Sequence, residues 1–230
     1  DVASLESYLA NHQEGFRGPL AVRQFEGGQS NPTFLLETDS GTYVLRKQPP
    51  GELLPSAHQV DREYRIMAAL SGTGVPVPRM RCLCLDKTVI GAQFYVMDYV
   101  AGRMFSDASL PGVSPQDRTA IYFDLAKVLA KLHSLKPQDL GLADFGRDGN
   151  YFSRQISRWT RQYQASATED IDAMNRLIKW LPDHVPATGE ATIVHGDYRI
   201  GNCLIDPNKP DIAALIDWEL STLGDPLADV

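Results

Sequence analysis

Three polar side chains near the C-terminal end of the sequence have the types and spacing of a cation site. Asp197 and Asn202 lie in a polar stretch after a short apolar run, and Asp217 ends the apolar run 212–216. Residues 206–208 are typical of a tight turn. The pattern therefore predicts a loop followed by a β-hairpin, with the three side chains at one end. Carboxylate and carboxamide oxygens are ligands that suit Mg²⁺.

The spacing of these residues also separates two roles. Asn202 and Asp217 can hold a metal while Asp197 faces a hydroxyl group, as phosphoryl transfer requires. His195-Gly-Asp197, four residues and Asn202, followed by the later Asp217, parallel the H-R-D-x-x-x-x-N loop and metal-binding Asp of kinases. Each Asp taken alone is more often a cap or turn former, so the joint pattern is what indicates catalysis.

Composition bounds the class of protein. The 230 residues are 43% hydrophobic with a formal charge of −7, which suits one large domain or two lobes. The acidic balance argues against nucleic-acid binding, no apolar run has the length of a membrane span, and no signal peptide is visible. Cys82, Cys84 and Cys203 lack the second pair of a zinc site and are expected as buried or half-buried thiols. The sequence predicts a cytoplasmic protein.

The first hundred residues predict a sheet with one main helix. Strands are expected over 20–25, 33–37, 42–47, 82–85 and 93–99, and helices over 4–12 and 58–70. Ser4 is the expected N-cap of the first helix. The fold class is therefore α+β in this half.

Two features of this half can contact phosphate. The turn before the second strand contains Gly27, Gly28, Ser30 and Asn31. Its backbone N–H groups can cradle phosphate oxygens, although hairpins use such turns routinely. Arg46 and Lys47 end the third strand, where adjacent side chains point to opposite faces. One of them can reach phosphate while the other is solvated, or both can be solvated.

The second half predicts helices before the catalytic hairpin. Ser114 and Pro115 begin a helix that ends near 133, and further helices are expected over 151–165 and 170–181. Asp225-Pro226 has the pattern of a cap and first turn, and the sequence ends four residues later. This half is therefore expected to be α-rich and incomplete at its C-terminal end.

The segment around His195 to Asp217 resembles the aminoglycoside phosphotransferase and choline kinase superfamily. Residues 29–33, 43–50 and 218–222 narrow the resemblance to the kinase domain of acyl-CoA dehydrogenase family members 10 and 11, over about 5–230. It implies a protein-kinase-like two-lobe fold. The N-lobe, with a five-stranded antiparallel sheet, would span 1–98, the hinge 99–102, and the α-rich C-lobe 103–230.

The resemblance implies roles in nucleotide binding. Arg46 matches the strand cation that clamps the phosphates, with Lys47 in reserve, and Glu63 would be its partner on the helix over 58–70. A surface pair with Arg62 or Arg65 is the alternative for Glu63.

At the hinge, the Asp98 carbonyl and the Val100 N–H would bind adenine beside Met97. In the catalytic segment, Asp197 would act as the base while Asn202 and Asp217 bind Mg²⁺. Structural support for the loop is expected from His195, Asp225 and Asp229.

These residues predict an ATP- and Mg²⁺-dependent phosphotransferase that acts on a small-molecule hydroxyl. The resemblance implies a hydroxyacyl-CoA acceptor and an acyl-CoA dehydrogenase domain or partner. Composition indicates that neither nucleic acid nor membrane is a partner. An aminoglycoside or choline-type kinase is the alternative within the same chemistry. A catalytically inactive nucleotide-binding module is the alternative from another class.

Overall fold

An antiparallel sheet forms the first half of the described chain. The computed structural model describes residues 1–25, 31–51, 58–146, 151–187 and 189–230. The strands are β1 (Ala21–Gln24), β2 (Thr33–Thr38), β3 (Gly41–Lys47), β4 (Met80–Cys84) and β5 (Phe94–Asp98). They pair in the order β1-β2-β3-β5-β4, each antiparallel to its neighbour. The predicted five-stranded sheet is confirmed.

One helix lies on each face of this sheet. Alternate strand residues point to opposite sides, so each helix packs on a different set of side chains. Helix α1 (Val2–His12) shares a buried cluster with Tyr43 and Leu45 of β3. Helix α2 (Val60–Leu70) shares another cluster with Val44 and Tyr95. Even-numbered positions of β3 therefore face α2.

The N-cap of α1 was wrong in the sequence-based prediction. The helix begins at Val2, and the side chain of Asp1, not Ser4, caps it by accepting a hydrogen bond from the Ser4 N–H (3.1 Å). Asp is as good a cap as Ser, so the polar residue one turn further upstream takes the position.

Helices dominate the middle of the chain. They are α3 (Pro115–His133), α4 (Tyr151–Ser166) and α5 (Asp172–Trp180). Ser114 caps α3 by accepting from the Asp117 N–H, as predicted. Helix α3 buries Ile121, Val128 and Leu132 in the same cluster as α2. No helix in the described ranges combines the length and apolarity needed to cross a membrane.

Two small sheets carry the polar segment. Strands β7 (Cys203–Ile205) and β8 (Ile212–Leu215) form the expected hairpin. Strand β6 (Thr192–Val194) pairs with β9 (Thr222–Gly224), which the sequence did not predict. Short 3₁₀ helices cover Ile200–Asn202, Trp218–Leu220 and Pro226–Asp229, so the predicted C-terminal helical turn is 3₁₀. The three cysteines are buried free thiols.

The chain that leaves the sheet is joined to this hairpin. The Arg103 N–H donates to the Ile205 carbonyl (2.7 Å), and the Ile205 N–H donates back to the Arg103 carbonyl (3.0 Å). A Cβ on Gly102 would lie 2.8 Å from the Cβ of Leu204. Glycine is therefore required where the chain after β5 packs on the hairpin.

Candidate active site

The polar loop after β6 is built around His195 and Gly196. Gly196 has φ +85°, and a Cβ there would lie 2.6 Å from the Leu220 carbonyl oxygen. His195 is fully buried, and its Nε2 lies 3.1 Å from the Ile216 carbonyl oxygen. Because a carbonyl only accepts, Nε2 carries the proton, and Nδ1 accepts from the Asp197 N–H (3.3 Å). Burial lowers the pKa of His195, so the neutral ring braces the loop.

Asp229 holds the same loop through backbone amides. Its Oδ2 accepts from the His195 N–H (2.8 Å) and its Oδ1 from the Gly196 N–H (2.7 Å). His133 Nε2, at the end of α3, lies 3.0 Å from Oδ2. Burial alone would raise the pKa of Asp229, but these hydrogen bonds outweigh it and the pKa is lowered. The carboxylate therefore stays ionised.

Asp197 and Asn202 are joined within the loop. The Asn202 amide nitrogen donates to the Asp197 Oδ2 (2.7 Å) and to the Asp197 carbonyl (2.9 Å). The Asn202 carbonyl accepts from the Ile216 N–H (3.0 Å), which ties the loop to the end of β8. Because these hydrogen bonds use the side-chain nitrogen, the side-chain oxygen of Asn202 is the atom that can coordinate a cation.

Asp217 is placed by an unusual backbone. It follows β8 by two residues with φ 67° and ψ 56°, the left-handed region, which Asp adopts more readily than most residues. Its Oδ1 accepts from the Nη2 of Arg46 (2.7 Å). A turn of this kind aims the carboxylate back at β3 instead of continuing along the strand.

Arg46 lies among three carboxylates. Its Nη2 also lies 3.5 Å from Glu219 Oε2, and its Nε lies 3.1 Å from Glu63 Oε2. Arg46 pairs in register with Tyr95 and shares with Val44 the sheet face that meets α2. This explains why Arg46, and not its neighbour in sequence, reaches Glu63.

Glu63 is the centre of a buried polar cluster. Only 1% of the residue is exposed, and it accepts from the Asn31 amide (2.8 Å) and the Tyr95 hydroxyl (3.0 Å). Burial raises the pKa of Glu63 to about 7 against the opposing effect of Arg46. Arg46 offsets the effect of burial only in part, because it is shared with the carboxylates of Asp217 and Glu219.

The alternative partners of Glu63 are used elsewhere. Arg62 donates to the carbonyls of Phe145 (2.7 Å) and Ser221 (3.3 Å), and its guanidinium lies 4.1 Å above the Phe145 ring. Arg65 pairs with Asp144 on the surface. These contacts attach α2 to the helical half of the molecule.

The other residues expected to contact phosphate lie in different environments. Lys47 is half-buried on the opposite face of β3, in register with Phe94. Asn31 is buried, with its Oδ1 2.9 Å from His58 Nδ1, so both of its polar side-chain atoms face protein. Gly27, Gly28 and Ser30 lie outside the described residues.

At the end of β5, Met97 is buried in the α2-side cluster. The Asp98 carboxylate accepts two hydrogen bonds from Arg81 (2.5 and 2.9 Å), and the Asp98 N–H donates to the Arg79 carbonyl (2.8 Å). Val100 lies two residues after β5. Asp225 caps the 3₁₀ turn that carries Asp229 by accepting from the Leu227 N–H (3.0 Å).

The donor set fits Mg²⁺. Among the residues that the structure describes, no three His, Cys, Asp or Glu side chains form a metal site. One carboxylate from Asp217 and one amide oxygen from Asn202 are nevertheless what Mg²⁺ takes from protein when phosphates and water complete its shell.

Sequence reasoning missed two contributors. His133, expected only near the end of a helix, reaches Asp229 across 96 positions. Tyr95, expected only in a strand, donates from its hydroxyl to Glu63. Tyr95 and Arg46 occupy facing positions on neighbouring strands, so the strand register would have indicated this contact.

The sheet, the α-rich half and the hairpin-borne loop define a two-lobe, kinase-like phosphotransferase fold. Residues 21–230 match the model of the phosphotransferase enzyme family. The chain belongs to that family.

Curated relatives carry a further region. Acyl-CoA dehydrogenase family member 11 of Rattus norvegicus is 48% identical over 235 residues, and member 10 of Mus musculus is 48% identical over 226. These matches cover 100% and 98% of this chain but 30% and 21% of the relatives. The chain therefore spans less than a third of their length.

Solved structures show the same fold. A Ralstonia eutropha protein provisionally described as an aminoglycoside phosphotransferase has a TM-score of 0.90 at 51% identity, covering all of this chain and 68% of that one. A type I macrolide 2′-phosphotransferase has a TM-score of 0.69 at 25% sequence identity, and the match covers 100% of this chain and 74% of that one. A thermostable mutant of aminoglycoside phosphotransferase APH(4)-Ia, in complex with ADP and hygromycin B, has a TM-score of 0.67 at 16% identity, and the match covers 98% of this chain and 74% of that one.

Proposed function

We propose that this chain transfers the γ-phosphate of ATP to a hydroxyl group of a small molecule. The supporting observation is the contact of Arg46 with both Glu63 and Asp217, because it brings the phosphate side of the sheet against the loop of Asp197 and Asn202. Positioning and charge neutralisation are the main tasks of a protein in phosphoryl transfer.

Asp197 acts on the acceptor. Asn202 holds its Oδ2, so Oδ1 is the atom that orients the acceptor hydroxyl and takes its proton as the oxygen attacks the γ-phosphorus and ADP leaves. Such general-base assistance contributes roughly 10²–10⁴-fold. Asn202 and Asp217 bind Mg²⁺, which neutralises charge on the phosphates.

The N-lobe and hinge bind the nucleotide in this proposal. Arg46, oriented by Glu63, clamps phosphate oxygens with the planar fork of its guanidinium, with Lys47 in reserve. Gly27, Gly28, Ser30 and Asn31 cover the phosphates. Met97, the Asp98 carbonyl and the Val100 N–H contact adenine. The lobe boundaries of 1–98, 99–102 and 103–230 belong to the same proposal.

A hydroxyacyl-CoA is the proposed acceptor. Its support is the set of relatives named as acyl-CoA dehydrogenase family members, which extend well beyond the matched region. A phosphorylated hydroxyl is a leaving group, so transfer would prepare the acyl chain for an attached or partner dehydrogenase domain. The buried free thiols support a cytoplasmic location.

Two alternatives remain for the experiment to separate. Phosphorylation of an aminoglycoside is favoured by the described function of the Ralstonia eutropha protein, which is 51% identical, and a choline-type acceptor belongs to the same alternative. A nucleotide-binding module without catalysis would bind ATP and transfer nothing.

The test is transfer of labelled γ-phosphate by the full-length protein, with Mg²⁺, to hydroxyacyl-CoAs, aminoglycosides and choline. Transfer to a hydroxyacyl-CoA that is lost in Asp197→Asn and kept in the exposed control Asp183→Asn supports the proposal. Transfer only to an aminoglycoside or to choline replaces the acceptor. ATP binding without transfer to any acceptor supports the inactive module.

A further inference from the structure

Arg199 lies midway between the two polar side chains of the catalytic loop. The preceding Tyr198 points into the protein, where its hydroxyl donates to the Leu125 carbonyl of α3 (2.6 Å). Arg199 follows with extended backbone (φ −153°, ψ 159°) and is exposed. Its carbonyl accepts from the Asn202 N–H (2.9 Å), which fixes its backbone at the start of the 3₁₀ turn.

The Arg199 side chain stays on the loop. A Cβ on Gly201 would lie 3.1 Å from Nη2, 3.3 Å from Cζ and 3.4 Å from Nε of Arg199. Three such similar distances place the guanidinium against the glycine, so the absence of a side chain at 201 makes room for it. The exposed guanidinium therefore lies beside Gly201, the residue that precedes Asn202.

No carboxylate within the described part of the chain forms an ion pair with Arg199. Arg46, by contrast, has three carboxylates within 3.5 Å. A guanidinium carries five N–H donors and accepts nothing. Arg199 is thus a fixed cation, with donors to spare, two residues from the base that faces the acceptor.

We infer that Arg199 selects the acceptor by the group next to its reacting hydroxyl. It donates to an acceptor-only oxygen there, such as the thioester carbonyl of a hydroxyacyl chain, and it repels acceptors that carry ammonium groups beside the hydroxyl. The inference rests on the proposed function for the acceptor's position, and it names a specificity-determining residue for that reaction.

Hydroxyacyl chains and aminoglycosides differ in this respect. In a hydroxyacyl thioester with the hydroxyl a few carbons from the carbonyl, both oxygens can face one end of the loop. In an aminoglycoside, ammonium groups neighbour the hydroxyls, and like charges in close contact weaken binding. One residue therefore favours the first class and disfavours the second.

The experiment measures acceptor binding as well as turnover. The full-length protein, saturated with Mg²⁺ and a non-hydrolysable ATP analogue, is titrated by calorimetry with a 4-hydroxyacyl-CoA and with a polycationic aminoglycoside. The variants are Arg199→Gln, Arg199→Lys and Arg199→Glu, and Arg161→Gln on exposed α4 is a control with the same charge change. Transfer rates follow where the wild type has activity.

Loss of the charged guanidinium should weaken 4-hydroxyacyl-CoA binding by roughly 10- to 100-fold in Arg199→Gln, the range for a hydrogen bond to a charged group. Arg199→Lys should restore part of this loss, Arg199→Glu should bind the aminoglycoside more tightly than wild type, and Arg161→Gln should change neither. The selectivity is a ratio of two affinities, so it is measured even if no phosphate is transferred and the proposed function fails.

Three results would overturn the inference. One is unchanged affinity for both ligands in Arg199→Gln. Another is an equal loss for both, or an equal loss of turnover with both, because a role on the transferring phosphoryl group would not discriminate between acceptors. The last is a wild type that does not bind the hydroxyacyl-CoA at all.

Discussion

Arg46 and Asp229 lie on two sides of the candidate site and are held in different ways. Arg46 is surrounded by the carboxylates of Glu63, Asp217 and Glu219. Asp229 is held by two backbone N–H groups and an imidazole. The first arrangement depends on charges that can change partner, and the second on a backbone whose geometry is fixed.

The surroundings of Arg46 and of Asp229 suit different roles in the site. Asp217 and Glu219 share the Nη2 of Arg46, and burial raises the pKa of Glu63, so the charge balance of this cluster can change with a bound cation or with pH. Around Asp229 the N–H groups match the carboxylate oxygens one by one. We therefore expect the cluster to respond to ligand and pH, and the loop to stay in place.

The largest effect is expected from removing the carboxylate of Asp229. Asp229→Ala leaves the N–H groups of His195 and Gly196 without this acceptor and should destabilise the loop by about 3–6 kcal/mol, because hydrogen bonds to a charged group contribute about 1.5–3 kcal/mol each. Amide hydrogen exchange over 193–203 should become much faster, and turnover should fall with it. Asp229→Asn, which keeps one acceptor oxygen, should lie between. Lost turnover with unchanged exchange would contradict the role.

The next test breaks the cluster. Glu63→Ala removes the partner that directs Arg46, so the guanidinium should shift toward Asp217 and Glu219. The affinity for MgATP should fall by about tenfold, which corresponds to about 1.4 kcal/mol. Calorimetric titration of the full-length protein measures this, with exposed Glu190→Gln as control. Equal affinities would show that Arg46 is oriented without Glu63.

The pH dependence sharpens the contrast. The pKa of Glu63 is raised to about 7 in the folded protein, above its ordinary value of 4.5. The folded state therefore holds an extra proton between these values, and stability falls as pH rises through that window. The thermal midpoint of the wild type, relative to Glu63→Gln, should decrease from pH 5 to pH 8. Parallel curves would mean that Glu63 titrates normally.

The smallest effect belongs to an exposed pair. Arg65 and Asp144 form an ion pair whose side chains are 42% and 75% exposed, and such pairs contribute little. Asp144→Asn should leave thermal midpoint and turnover within error of the wild type. A large loss in either would show that α2 is attached mainly through Arg65 and not through Arg62.

Local patterns predicted most of the fold. Alternation and helical spacing located the five strands and the main helices, and Ser114 predicted the start of α3. Pairing of β6 with β9 was missed because three-residue strands such as Thr222–Gly224 have too few positions to show a period.

The sequence suggested candidate site residues but not the contacts between them. The alternation of side chains along a strand predicted that Arg46 and Lys47 point to opposite faces, but only the placement of α2 decides which of them contacts Glu63. The contact between Arg46 and Asp217 spans 171 positions, and no local pattern carries information over such a separation.

Close packing at Gly102 has a consequence for lobe motion. From Gly102 onward the chain moves with the hairpin that bears Asn202 and Asp217, so the axis of any opening lies before it, over 99–101. Opening about this axis would draw Asp217 away from Arg46, and that ion pair would resist it. Under the proposed function, the free energy of nucleotide exchange would include separation of these two charges, so release of ADP would be linked to the contact between Arg46 and Asp217.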